Sequence, residues 1–81
     1  MSDEELMSRL RFELRRCILG AGMSQAAVAR QLGITQKHMS ALLTGRSEMS
    51  FPWARRIAEV CGYELSIAFS RTITATPKED Q

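Results

Sequence analysis

The chain is short of most of what a catalytic, metal-binding or membrane protein needs. Cys17 and Cys61 are its only cysteines and His38 its only histidine. Four zinc ligands cannot be assembled from them, and no CxxC or Cys/His spacing surrounds them, so no metal or other cofactor is expected. Each cysteine falls on the apolar face of a predicted helix, where a thiol in a reducing compartment acts as a small buried hydrophobe. No Ser, Asp or second His is spaced to make His38 catalytic. There is also no phosphate loop, acid–base pair or cleft-sized fold, so an enzyme is not expected. No run of 18 apolar residues appears, so nothing is expected to span a membrane. The acidic start "MSDEELMSRL" lacks the basic-then-apolar order of a secretory signal, which leaves the cytoplasm as the expected location. Aromatic residues make up only 6% of the chain, yet 44% of the 81 residues are hydrophobic, enough for the core of one small domain.

The charge that is present is unevenly placed. Asp3, Glu4, Glu5, Glu79 and Asp80 sit at the two ends. Residues 6–76 carry nine Arg and one Lys against four Glu, a net charge of +6 that the formal +2 of the whole chain conceals. Such a body favours an anionic partner, nucleic acid before membrane.

Four helices follow from periodicity and capping signals. Leu6, Met7, Leu10, Leu14, Cys17 and Ile18 fall within about 120° of arc, the stripe of an amphipathic helix. Ser2 or Asp3 can cap it and "GAG" at 20–22 stops it. Phe12 and Leu19 lie off the stripe, to pack under a neighbouring segment or to join a subunit contact. Ser24 caps a short helix from Gln25 to Leu32 that Gly33 ends. Thr35 caps the next, from Gln36 to Leu43 or Thr44, ended by Gly45. Ser50 caps a fourth, with Pro52 in its first turn, where a missing N–H costs nothing. Phe51, Ala54, Ile57, Ala58 and Cys61 are expected on its inner face, with Trp53 and Val60 on a secondary one. An exposed Trp53 would mark a contact surface; half-buried packing is the other reading.

After Gly62 the period changes to two. In "YELSIAFS", residues 63–70, Tyr63, Leu65, Ile67 and Phe69 alternate with Glu64, Ser66, Ala68 and Ser70, the pattern of a half-buried strand. A lone strand leaves its backbone groups unpaired. Pairing with a second copy across a two-fold axis is one remedy, with those four residues as the dimer interface. The other is an extended segment lying on the helices of its own subunit. The expected organisation is therefore a helical domain at 1–62, a dimerisation strand at 63–70 and a polar tail at 71–81.

The stretch "SQAAVARQLGITQKHMSALLTGR", residues 24–46, has a more particular pattern. With Gln25 as the first position, apolar residues stand at the fourth, eighth, tenth, fifteenth and eighteenth (Val28, Leu32, Ile34, Met39, Leu42), alanine at the fifth and glycine at the ninth. Two short helices crossing at a steep angle need this arrangement. The apolar set fills the angle, Ala29 permits close approach, and Gly33 takes the positive φ of the turn. All seven offsets, together with "GMSQAAVA" and "LLTGR", resemble the helix-turn-helix of the XRE group, the lambda-repressor/Cro-like DNA-binding domains, whose five-helix layout would cover residues 6–62. The chain departs from that pattern at Ile18 and Leu43, where the family often carries Arg and Glu. "CGYELSIAF" is similar to the terminal strand of antitoxins that pair with persistence kinase toxins.

The resemblance implies a mainly α, four- to five-helix domain followed by one C-terminal strand that pairs in a homodimer. It also implies that the third helix enters the major groove N-terminus first. Gln36, Lys37, His38, Ser40 and Ala41 are then the candidates to meet base edges. A glutamine amide suits adenine, a lysine the O6/N7 edge of guanine, and Ala41 a thymine methyl. His38 is as apt to meet a phosphate. Gln25, Thr35, Thr44, Arg46, Ser47 and Ser50 are the candidates for the DNA backbone. Arg30, Arg55 and Arg56 have weaker claims, since each can simply face solvent. Arg9, Arg11, Arg15 and Arg16 lie far from the groove in the family arrangement and read as solubility or as pairing with Glu13. The implied function is a sequence-specific double-stranded DNA-binding regulator, a bacterial or phage repressor acting on an inverted repeat. The alternative is an antitoxin-type interaction protein that holds a toxin and regulates its own operon.

Overall fold

A computed structural model describes residues 1–72 of the chain. Four helices follow one another: α1 (Asp3–Gly20), α2 (Gln25–Leu32), α3 (Gln36–Thr44) and α4 (Phe51–Val60). Each starts where a hydroxyl can accept from an amide that the first turn leaves unpaired. Ser2 Oγ accepts from Glu5 N–H while Glu5 accepts from Ser2 N–H, a reciprocal capping box. Ser24, Thr35 and Ser50 accept from the amides of Ala27, His38 and Trp53. The bonds from Ser2 hold the Glu5 carboxyl below its ordinary pKa. Gly33 (φ 74°) and Gly45 (φ 93°) end α2 and α3 in the left-handed region, where a Cβ would be strained.

The core gathers where the four helices meet. Met39, Leu42 and Leu43 from α3, Val28 and Ala29 from α2, Ile57, Ala54 and Ala58 from α4, and Leu14 and Ile18 from α1 are buried, with Met49 and Cys61 closing the loops. α1 packs on both α3 and α4, and α2 does the same. Ile18 and Leu43, the two departures from the XRE pattern, both lie in this core. Apolar residues there avoid desolvating the Arg and Glu common in the family. Cys17 is half-buried and Cys61 buried, both as free thiols. Burial raises both pKa values, helped at Cys17 by the Glu13 carboxylate and at Cys61 by Cys17. No helix among the described residues is long and apolar enough to cross a membrane.

One expectation changes. Phe51 is 58% exposed rather than on the inner face of α4. As the first helical residue, its side chain leans back over the preceding turn, beyond the reach of the core. The described residues hold four helices, the lower of the two numbers expected. Residues 63–72 form no regular element, and no second strand lies beside them among the described residues. Within that segment Leu65 packs on the core and Tyr63 lays its hydroxyl over Gly20, whereas Ile67 and Phe69 are 63% and 96% exposed. Phe12 and Leu19, left open between packing and contact, face solvent. The tail at 73–81 lies outside the described residues.

Candidate nucleic-acid interface

The turn between α2 and α3 is three residues long and closed by its own backbone. Gly33 N–H donates to Arg30 O and Ile34 N–H reaches back to Ala29 O. The left-handed glycine turns the chain, Ile34 drops against the core, and Thr35 opens α3. At about 100° per residue, Lys37, Ser40, Ala41 and Thr44 share one face of α3, opposite the buried Met39, Leu42 and Leu43. Gln36 and Lys37 are exposed; Ser40 and Ala41 are half-buried. A cation, two hydroxyls and a methyl thus line that face, and the exposed Gln36 and Lys37 stand at the positive end of the helix dipole.

His38 is placed differently from its neighbours. It turns toward α4, and its ring meets Trp53 edge-on, with centroids 5.4 Å apart at 75°. Trp53, half-buried as one of the two readings had it, also carries the Arg56 guanidinium 5.4 Å from its ring centroid. The spacing of Trp53 and Arg56 by three residues was readable as a helix-surface pair. The His38 contact across helices was not.

The backbone-contact candidates flank this face. Gln25 is half-buried at the start of α2, and Arg46 is exposed just beyond Gly45. The Thr35 and Ser50 oxygens already accept from amides, which leaves each hydroxyl proton to donate to an anion. Thr44 has the reverse state: its hydroxyl donates to Ser40 O at 2.8 Å, so it must rotate before it can donate elsewhere. Ser47 N–H is held by Ala41 O.

Two arginines of α1 play a part that their charge alone did not reveal. Arg15 Nη1 donates to Leu43 O at 2.7 Å, capping the C-terminal end of α3. The Arg11 guanidinium lies where a Cβ on Gly45 would come within 3.3 Å of its Cζ. Both cations sit at the negative end of the α3 dipole and hold that end to α1. Arg9 and Arg16 pair with Glu13 as expected. A groove of about 660 Å³ runs beside Arg11, with Asp3, Glu4 and Glu48 along its walls.

The charge pattern along the chain separates these two ends. No Asp or Glu occurs anywhere from Leu14 through Ser47, a stretch containing α2, the turn and α3, while Arg15, Arg16, Arg30, Lys37 and Arg46 all fall within it. Carboxylates return at Glu48, beyond the C-terminal end of α3. The outward face of the two-helix unit is therefore basic or neutral throughout, and an approaching polyanion meets no like charge on it.

Among known proteins, no curated protein and no solved structure matches the chain. The family described as helix-turn-helix domain matches residues 9–65, from the middle of α1 to just past α4. With the α2–turn–α3 unit at the centre of that match, the chain belongs to the helix-turn-helix domain family, a DNA-binding type.

Proposed function

We propose that this protein is a sequence-specific double-stranded DNA-binding transcriptional regulator of the XRE kind, a repressor that reads an inverted repeat as a homodimer. The observation that carries the reading is the outward face of α3. Its exposed start offers Gln36 and Lys37 on a two-helix unit without a carboxylate. Pushed N-terminus first into the major groove, that start brings an amide and an ammonium to base edges, each good bidentate contact discriminating by about 1–3 kcal/mol. Ala41 follows one turn on, where a thymine methyl would meet it. Arg46, Gln25 and the hydroxyls of Thr35 and Ser50 then face phosphates and set the register.

One copy of so small a domain makes few contacts. Two copies joined through residues 63–70, with Ile67 and Phe69 exposed and apolar, would set their third helices about 34 Å apart, one turn of DNA. The same exposed pair also fits an antitoxin that grips a protein partner; co-purification of a second protein separates the two readings. The test of the main one is selection of bound duplexes from a random pool, repeated with Gln36→Ala and Lys37→Ala. The expected result is a palindrome whose preference relaxes at one position in each variant. Unchanged selectivity in both would remove α3 from the groove.

A further inference from the structure

We infer, resting on the DNA-binding reading above, that Arg56 is a phosphate-binding residue of α4 and that Trp53 is the side chain that positions it. Arg56 is exposed and has no carboxylate partner among the described residues, whereas its neighbour Arg55 pairs with Glu59 at 3.6 Å. An unpaired arginine on a helix surface ordinarily samples many rotamers, and ordering it on binding costs side-chain entropy. Here its guanidinium already lies against the Trp53 ring, 5.4 Å from the centroid. The same ring also meets His38, the third residue of α3, and packs on the core. Trp53 therefore links α4 to the N-terminal turn of the helix that carries Gln36 and Lys37. It holds a fixed positive charge beside that turn.

The place suits a phosphate and not a base. Arg56 stands on a flanking helix, lateral to the face that Lys37, Ser40 and Ala41 present, so when α3 lies in the groove the groove wall is the nearest part of the duplex. A guanidinium held near an indole face by cation–π attraction still has N–H donors to offer, and two of them match two phosphate oxygens. Arg46, beyond the far end of α3, is the candidate for the opposite end of the same helix. A cation near each end would fix how deep and at what tilt α3 sits, without reading any base itself.

The experiment compares the full chain with Arg56→Gln, Trp53→Leu and the double variant, using fluorescence anisotropy of a labelled duplex carrying the selected site. Far-UV circular dichroism checks that each variant is folded. Arg56→Gln is expected to weaken binding about three- to tenfold, equally for selected and scrambled duplexes. Its salt dependence should also be shallower by about 0.9 in log–log slope. If Trp53 acts through Arg56, the double variant binds no worse than Arg56→Gln alone. Trp53 is the only tryptophan, so its emission is a second readout. It should change when duplex saturates the wild-type protein, which a contact serving only to pack α3 on α4 would not require. Arg56→Gln binding with wild-type affinity and slope overturns the inference, as does unmoved Trp53 emission at saturation. So does a loss of self-association at unchanged duplex affinity, which would assign the guanidinium to a subunit contact. Absence of any duplex binding by the wild type is a separate result that removes the DNA-binding reading itself.

Discussion

Alanine at Gly33 and at Gly45 separates two costs that the structure superimposes at the ends of α2 and α3. At Gly33, φ is 74°, and a Cβ would find nothing within 4 Å. The penalty for Gly33→Ala is then purely that of an L-residue in the left-handed region, about 1–2 kcal/mol. Alanine also narrows the unfolded ensemble, which offsets about 0.4–1 kcal/mol of it. The expected loss is about 1 kcal/mol, equivalent to a fall in Tm of about 4–8 °C for a domain of this size. Gly33→Asn, whose side chain tolerates the same conformation, should lose less. At Gly45 the backbone cost recurs at φ 93°, and the new Cβ would press on Arg11 at 3.3 Å. Arg11 can give way only by carrying its guanidinium away from Gly45, where its charge serves the end of α3. Disturbing that charge adds about 0.3–1 kcal/mol, so Gly45→Ala should cost closer to 2 kcal/mol. Urea titrations followed by circular dichroism at one salt concentration give the order: wild type, Gly33→Asn, Gly33→Ala, Gly45→Ala. A Gly33→Ala protein as stable as wild type would mean that the turn is not left-handed. Equal losses at the two glycines would mean that Arg11 is not fixed over α3.

Arg15→Met should cost about 1 kcal/mol in the same titration, because it exposes the Leu43 carbonyl at the end of α3; Arg16→Ala, which breaks only an exposed pair with Glu13, should stay within about 0.5 kcal/mol. A result in which the two arginines count alike would deny the cap. Ile67→Asp should convert a dimer to monomers in sedimentation and raise the duplex concentration needed for half-saturation. A dimer that persists would move the contact to the helices, where Leu6, Phe12, Leu19 and Phe51 are exposed.

Much of the fold is written locally. Ser24, Thr35 and Ser50 cap their helices because hydroxyl and amide are three residues apart and meet whatever the rest of the chain does. Gly33 turns the chain by its own backbone freedom, and Val28, Leu32, Met39 and Leu42 point inward by helical period alone. Phe51 shows the edge of that logic. Its period places it near the inner face, yet at the first position of α4 it borders an open groove beside the start of α1 and stays exposed.

The candidate site divides in the same way. The exposure of Gln36 and Lys37 at the start of α3, and the absence of carboxylates from Leu14 to Ser47, were both present in the order of residues. Only the packed molecule decided which arginine does what. Arg15 finds its acceptor 28 residues away, Arg11 covers Gly45, and His38 swings out of line with its neighbours to meet Trp53. The physical reason is reach. A cap or a turn is made by atoms that covalent geometry already holds together, whereas a contact between helices exists only once their angle and spacing are set by the core between them.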